Sequence, residues 1–114
     1  MSGAEFRKEL LKIMPGYSWT VHRTTDAVFL KATGIQSSGF NRLSTLRVER
    51  FARDPNRVEY TVKSAGYGTK SPWAQTVTAR TLARAFRCLQ DHYLKKASYY
   101  AGLAGSLQAG RESA

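Results

Sequence analysis

Leu46-Arg47-Val48-Glu49-Arg50-Phe51-Ala52-Arg53-Asp54-Pro55-Asn56-Arg57-Val58-Glu59-Tyr60-Thr61-Val62-Lys63 is the stretch whose pattern decides the fold. Val58, Tyr60 and Val62 alternate with Glu59, Thr61 and Lys63, the period of two of a half-buried strand, and Asp54-Pro55-Asn56 ahead of it has the chemistry of a tight turn. Before the turn, residues 40–51 read as the partner strand, although their apolar positions change parity: Leu43 and Phe51 are odd, whereas Phe40, Leu46 and Val48 are even. A bulge or an extended entry near residues 43–45 reconciles the two sets. The resulting hairpin has one core face and one solvated face, with Arg47, Glu49, Glu59, Thr61 and Lys63 as neighbours on the outer side.

Working outward toward the N-terminus, Val28, Leu30 and Ala32 alternate with Phe29, Lys31 and Thr33, and Tyr17, Trp19 and Val21 alternate with Ser18, Thr20 and His22. These are two more strands, joined by a turn at Thr24-Thr25-Asp26, and the small polar segment of residues 34–39 is expected to be a mobile loop. Ser2 with Glu5 fits a capping box, and Phe6, Leu10, Ile13 and Met14 recur at helical spacing up to Pro15-Gly16, so a short helix is expected over residues 3–14. After the hairpin, residues 65–77 carry glycines, a proline and two aromatics and read as a long loop. From Thr78 the pattern is helical again, with Leu82, Phe86, Leu89, Tyr93, Ala97 and Tyr100 three or four apart, which predicts a helix of about 20 residues or more. The expectation is thus an α+β fold: an antiparallel sheet of about four strands with a short N-terminal and a long C-terminal helix on one face, in a single domain over residues 1–100. Residues 101–114, rich in Gly, Ala and Ser, are expected to form a flexible tail.

The chain has 114 residues, enough for one domain, and 18 Lys and Arg against 8 Asp and Glu give a net charge of +10. Such a charge speaks of partners rather than of fold. Each residue advances about 100° around a helix axis, so with Arg80 at zero, Arg84, Arg87, Asp91 and Lys95 fall at about +40°, −20°, +20° and +60°, opposite Leu82, Phe86, Leu89 and Tyr93. Asp91 is expected to pair with Arg87 or Lys95, four residues to either side. Between Glu59 and Asp91 the chain carries no acid but holds Lys63, Lys70, Arg80, Arg84 and Arg87. Phosphate neutralised by such a region releases condensed counterions, and Tyr67 and Trp73, flanking Lys70, offer ring faces to unstacked bases. The same features also suit a solvated helix face and aromatics that cap a core edge.

Sites for chemistry are not expected. Gly66-Tyr67-Gly68-Thr69-Lys70 lacks the spacing of a phosphate-binding P-loop. Cys88 and His92 stand four apart but lack two further metal ligands, and Cys88 reads as an ordinary, partly buried thiol. Asp54 and Glu59 precede Lys63, yet Thr61 occupies the position where a restriction-type nuclease carries its lysine. The single cysteine, the absence of a long apolar run and an N-terminus without signal-peptide character point to a cytoplasmic protein with no membrane span, cofactor, metal or catalytic residue.

The order of helix, antiparallel strands and long basic helix is similar to that of double-stranded RNA-binding domains. That family carries a lysine cluster at the start of its last helix, where Thr76-Val77-Thr78-Ala79-Arg80 has one arginine, so its RNA recognition does not carry over. Short length and compactness also resemble small accessory proteins of phages and mobile elements, including inhibitors of host defence. The functional expectation is a basic module that binds DNA or RNA with low sequence specificity through Arg80, Arg84, Arg87, Lys95, Lys63 and Lys70, with Tyr67 and Trp73 as stacking residues. The alternative is a protein-interaction or inhibitor module that docks an acidic protein surface or a nucleoprotein complex, and homo-oligomers are compatible with either.

Overall fold

The computed structural model describes residues 1–24, 28–39, 41–66 and 73–113, apart from the side chains of residues 41 and 42. The chain runs α1 (Gly3–Ile13), β1 (Ser18–His22), β2 (Phe29–Ser38), β3 (Asn41–Asp54), β4 (Arg57–Ala65), β5 (Gln75–Ala79) and α2 (Leu82–Glu112). All neighbouring strands pair antiparallel, in the order β1-β2-β3-β4-β5. The fold is therefore α+β, with five strands rather than about four.

Alternation along each strand sorts the side chains onto two faces. The register aligns Trp19 with Gly34, Gly34 with Leu46 and Leu46 with Ser64, and in a second row Val21, Ala32, Val48, Val62 and Val77. These residues face the helices. Phe6 and Leu10 of α1, one turn apart, and Leu82, Ala85, Phe86 and Leu89 of α2 join Trp19, Ala32, Leu46, Val48, Tyr60 and Val62 in one buried cluster. Ser2 caps α1: its Oγ accepts the Glu5 N–H at 3.1 Å, and its hydroxyl, rather than the backbone N–H of a capping box, donates to Glu5 Oε1 at 3.3 Å. At the β3–β4 turn, Asp54 Oδ1 accepts the Asn56 N–H at 3.1 Å, the local bond that makes Asp-Pro-Asn a turn.

Three stretches depart from the expected pattern. Residues 34–38, expected as loop, are strand: β2 continues to Ser38, with a register shift between Gln36 and Ser37 opposite Leu43, where the change of parity in β3 calls for a bulge. Gly34 lies inside the strand because the Trp19 ring rests on it, and a Cβ there would stand 2.7–2.8 Å from three ring atoms. Residues 75–79, expected as loop and helix start, are β5, in which Val77 packs beside Val62 while Thr76 and Thr78 face out. The helix starts later, at Leu82, because the Thr81 side chain caps it by accepting the Arg84 N–H at 3.2 Å. Residues 101–112, expected as tail, continue α2, in which Gln108 Nε2 donates to Glu112 Oε1 at 2.7 Å. The turn expected at residues 24–26 falls mostly outside the described residues, as does Phe40.

Gly34→Ala is expected to cost about 1–3 kcal/mol through overpacking, because the ring it strikes is only 4% exposed and has nowhere to go. A urea titration would register this as a lower midpoint. Adding Trp19→Phe to the same chain should recover part of the loss, and an unchanged midpoint in the single variant would remove the Trp19–Gly34 contact as the reason for glycine.

Candidate nucleic-acid interface

Buried Leu82, Ala85, Phe86 and Leu89 fix the rotation of α2 and thereby turn Arg84, Arg87, Cys88 and Asp91 away from the sheet. With Thr81 and Ala83 these four line a shallow depression of about 420 Å³. Arg80, immediately before the helix, is exposed, as are Arg84 and Arg87. One turn farther along, Lys95 shares a second depression, of about 300 Å³, with His92, Lys96 and Tyr99. Among the described residues the ion pair within 4.0 Å is Arg47 Nε to Glu49 Oε1 at 3.2 Å, on the sheet. Asp91 therefore does not close onto Arg87 or Lys95 as its spacing led one to expect. It sits in the arginine depression and leaves both guanidinium groups open to solvent. Cys88 is exposed rather than partly buried, since at its rotation it too faces away from the core.

Lys63 does not join this surface. Val62 and Ser64 point to the helices, so Lys63 points to the opposite face of the sheet, in register with Arg47 on one side and Thr76 on the other. No helix lies on that face among the described residues, although Thr45 and Ala65 at one end of it are buried, and beside Lys63 it carries Lys31 and Arg47, which sequence reasoning assigned to no site. Lys31 pairs with Glu49 and His22, Thr33 with Arg47, and His22 Nε2 lies 2.7 Å from Thr33 Oγ1. Beyond them Phe29 and Phe51 pack edge to face at 6.2 Å between ring centres, with the Arg53 guanidinium 5.1 Å from the Phe51 ring centre. Arg53, Arg57, Phe51 and Glu59 line a depression of about 380 Å³ beside the hairpin. The available signal was parity, because Phe29, Lys31, Arg47, Phe51 and Lys63 are all odd where the core positions of these strands are even.

Trp73 is 41% exposed, in the short coil before β5, where the Ala74 N–H donates to the Ser64 carbonyl at 2.8 Å. Tyr67 and Lys70 lie outside the described residues. At the point where α2 passes the end of β4, an apolar cavity of about 280 Å³ opens between Met14, Tyr17, Leu46, Phe86, Leu89 and Tyr93. Two hydroxyl pairs edge it: Tyr17 donates to Ser44 at 2.8 Å, and Tyr93 bonds Ser64. Among the described residues no three His, Cys, Asp or Glu side chains come together as a metal site, and no helix is long and apolar enough to cross a membrane. Comparison with models of known protein families, with curated protein sequences and with solved structures finds no match.

Cys88 is exposed and should therefore be accessible to thiol reagents in the folded chain. Ellman's reagent is expected to titrate one thiol in the native chain at a rate close to that in the urea-unfolded chain. Slow, unfolding-limited labelling would place Cys88 on the wrong side of α2.

Proposed function

We propose that the protein is a nucleic-acid-binding module of low sequence specificity whose phosphate contacts come from the outer face of α2. The observation that carries this reading is the run Arg84, Arg87 and Lys95, exposed along one side of a helix whose other side is fixed in the core, with exposed Arg80 just ahead of the Thr81 cap rather than on the helix. Cations held on a rigid element and free of carboxylate partners keep their full charge for an external polyanion. Spacing along the helix suits a phosphate backbone: Arg84 and Lys95 are separated by about 16 Å at 1.5 Å per residue, a length that spans more than one phosphate. Contacts of this kind position the protein without reading bases, which is why low specificity accompanies them.

Trp73 supplies an exposed ring for stacking, and Tyr67 and Lys70 complete the aromatic and basic loop in this reading. Lys63, with Arg47 and Lys31, belongs to the sheet face opposite the helices and contributes little to a ligand lying on α2. The alternative, docking of an acidic protein surface, draws on the same open arginines. A pull-down before and after nuclease treatment separates the two, since a retained partner that survives digestion supports the protein-docking reading.

Four phosphate contacts to duplex predict that log K falls against log salt with a slope of about −3.6. Arg84→Glu with Arg87→Glu should flatten that slope by about 1.8 or more, whereas Lys63→Glu should leave it unchanged. Bound DNA or RNA should also shield Cys88 from thiol reagents. No mobility shift with single- or double-stranded DNA or RNA at low salt ends this proposal, and a slope that responds to Lys63 but not to the arginine pair moves the ligand to the sheet.

A further inference from the structure

Past Leu89 nothing on α2 is buried, yet the helix continues to Glu112 as an arm. The apolar stripe does not stop where the sheet does. Leu82, Phe86, Leu89 and Tyr93 are followed by Lys96, Tyr100, Leu103 and Leu107, in unbroken steps of four and three, which is the seam of a helix that packs against another helix. In the arm this seam faces solvent: Tyr100 is 60% exposed and Leu107 73%. Gly102, Gly105 and Gly110 lie in the same segment, and each costs an isolated helix about 1 kcal/mol relative to Ala, so the arm gains little from propensity and much from a covering partner.

We propose that the occupant of this seam is a second copy of the chain, laid antiparallel about a two-fold axis near Ala101 and Gly102. In that register Tyr100 meets Leu103 of the second copy, twice by symmetry, and Tyr93 meets Gly110 of the second copy, a large side chain over a position with none. Lys96 lies along Leu107 of the second copy with its aliphatic stem and carries its ammonium to water. Ala97 and Ala104 flank the seam and let the helices approach. Covering these groups removes on the order of 600 Å² from each copy, about 1,200 Å² in all, which reaches the lower end of specific interfaces. Antiparallel pairing also answers the charge of +10, because the two bodies stand at opposite ends of the paired arms. The arm itself, residues 94–112, carries Lys95, Lys96 and Arg111 against Glu112, a surplus of two charges (three positive less one negative). This inference is independent of the nucleic-acid reading.

Sedimentation equilibrium of the full chain from micromolar to several hundred micromolar tests it. The expected mass rises from 12.7 kDa toward twice that value, more readily as salt is added. Leu103→Lys with Leu107→Lys should hold the chain at the monomer mass while leaving the urea midpoint of the body unchanged. Should that variant lose its arm helix by circular dichroism, spin labels on a Cys88→Ser, Glu112→Cys chain decide instead: antiparallel pairing sets them about 30 Å apart at 1.5 Å per residue. A monomer at all concentrations overturns the proposal, as does a dimer indifferent to the double substitution or a label separation near 10 Å. So does a monomer that uses the arm to bind polyglutamate or phosphatidylserine vesicles.

Discussion

The end of α1, strand β2 and α2 meet at the Trp19 ring of β1. Its Nε1–H donates to the carbonyl of Met14, the residue that caps the end of α1, at 3.0 Å, its face lies on Gly34 of β2, and its edge meets Phe86 of α2 at 6.3 Å between ring centres. One side chain therefore joins the exit of the first helix to the pairing of the first two strands and the seating of the second helix. A bulky rigid ring suits that role because it buries a large area in few rotamers and still satisfies its one donor. The cost is a local constraint on sequence, since the residue opposite can have no side chain at all.

That constraint also explains where the sequence was legible and where it was not. The β3–β4 hairpin could be read from alternation, since strong apolar residues at Val58, Tyr60 and Val62 stand out against charged neighbours. The second half of β2 could not, because Gly34 was read as punctuation when its role is to make room for a residue fifteen positions earlier. β5 was hidden for a different reason: Gln75, Thr76, Val77, Thr78 and Ala79 contrast so weakly that the strand exists chiefly through its pairing with β4. α2 was visible as an amphipathic helix over its docked half, whereas its extension past residue 100 ran against composition and was invisible to an argument that looks for something to bury.

The candidate site divides in the same way. Rotation at 100° per residue was enough to align Arg84 and Arg87, because a docked helix obeys it closely. Lys63 was grouped with them by distance along the chain, although its parity with Arg47 already set it on the other side of the sheet. Net charge had suggested one patch. The folded chain distributes it over two surfaces back to back, the outer side of α2 and the sheet face opposite the helices, and a single rigid ligand cannot touch both at once.

The strand order follows the chain order, so each hairpin can close as soon as its own residues are available, with no segment waiting on a distant one. What waits is the cover. Leu82, Ala85, Phe86 and Leu89 come after all five strands, and until they leave the ribosome the newly made meander presents Val48, Tyr60, Val62 and Val77 bare on its inner side. A nascent polypeptide in that condition is a natural client for a chaperone, and release from it is set by the moment the second helix emerges.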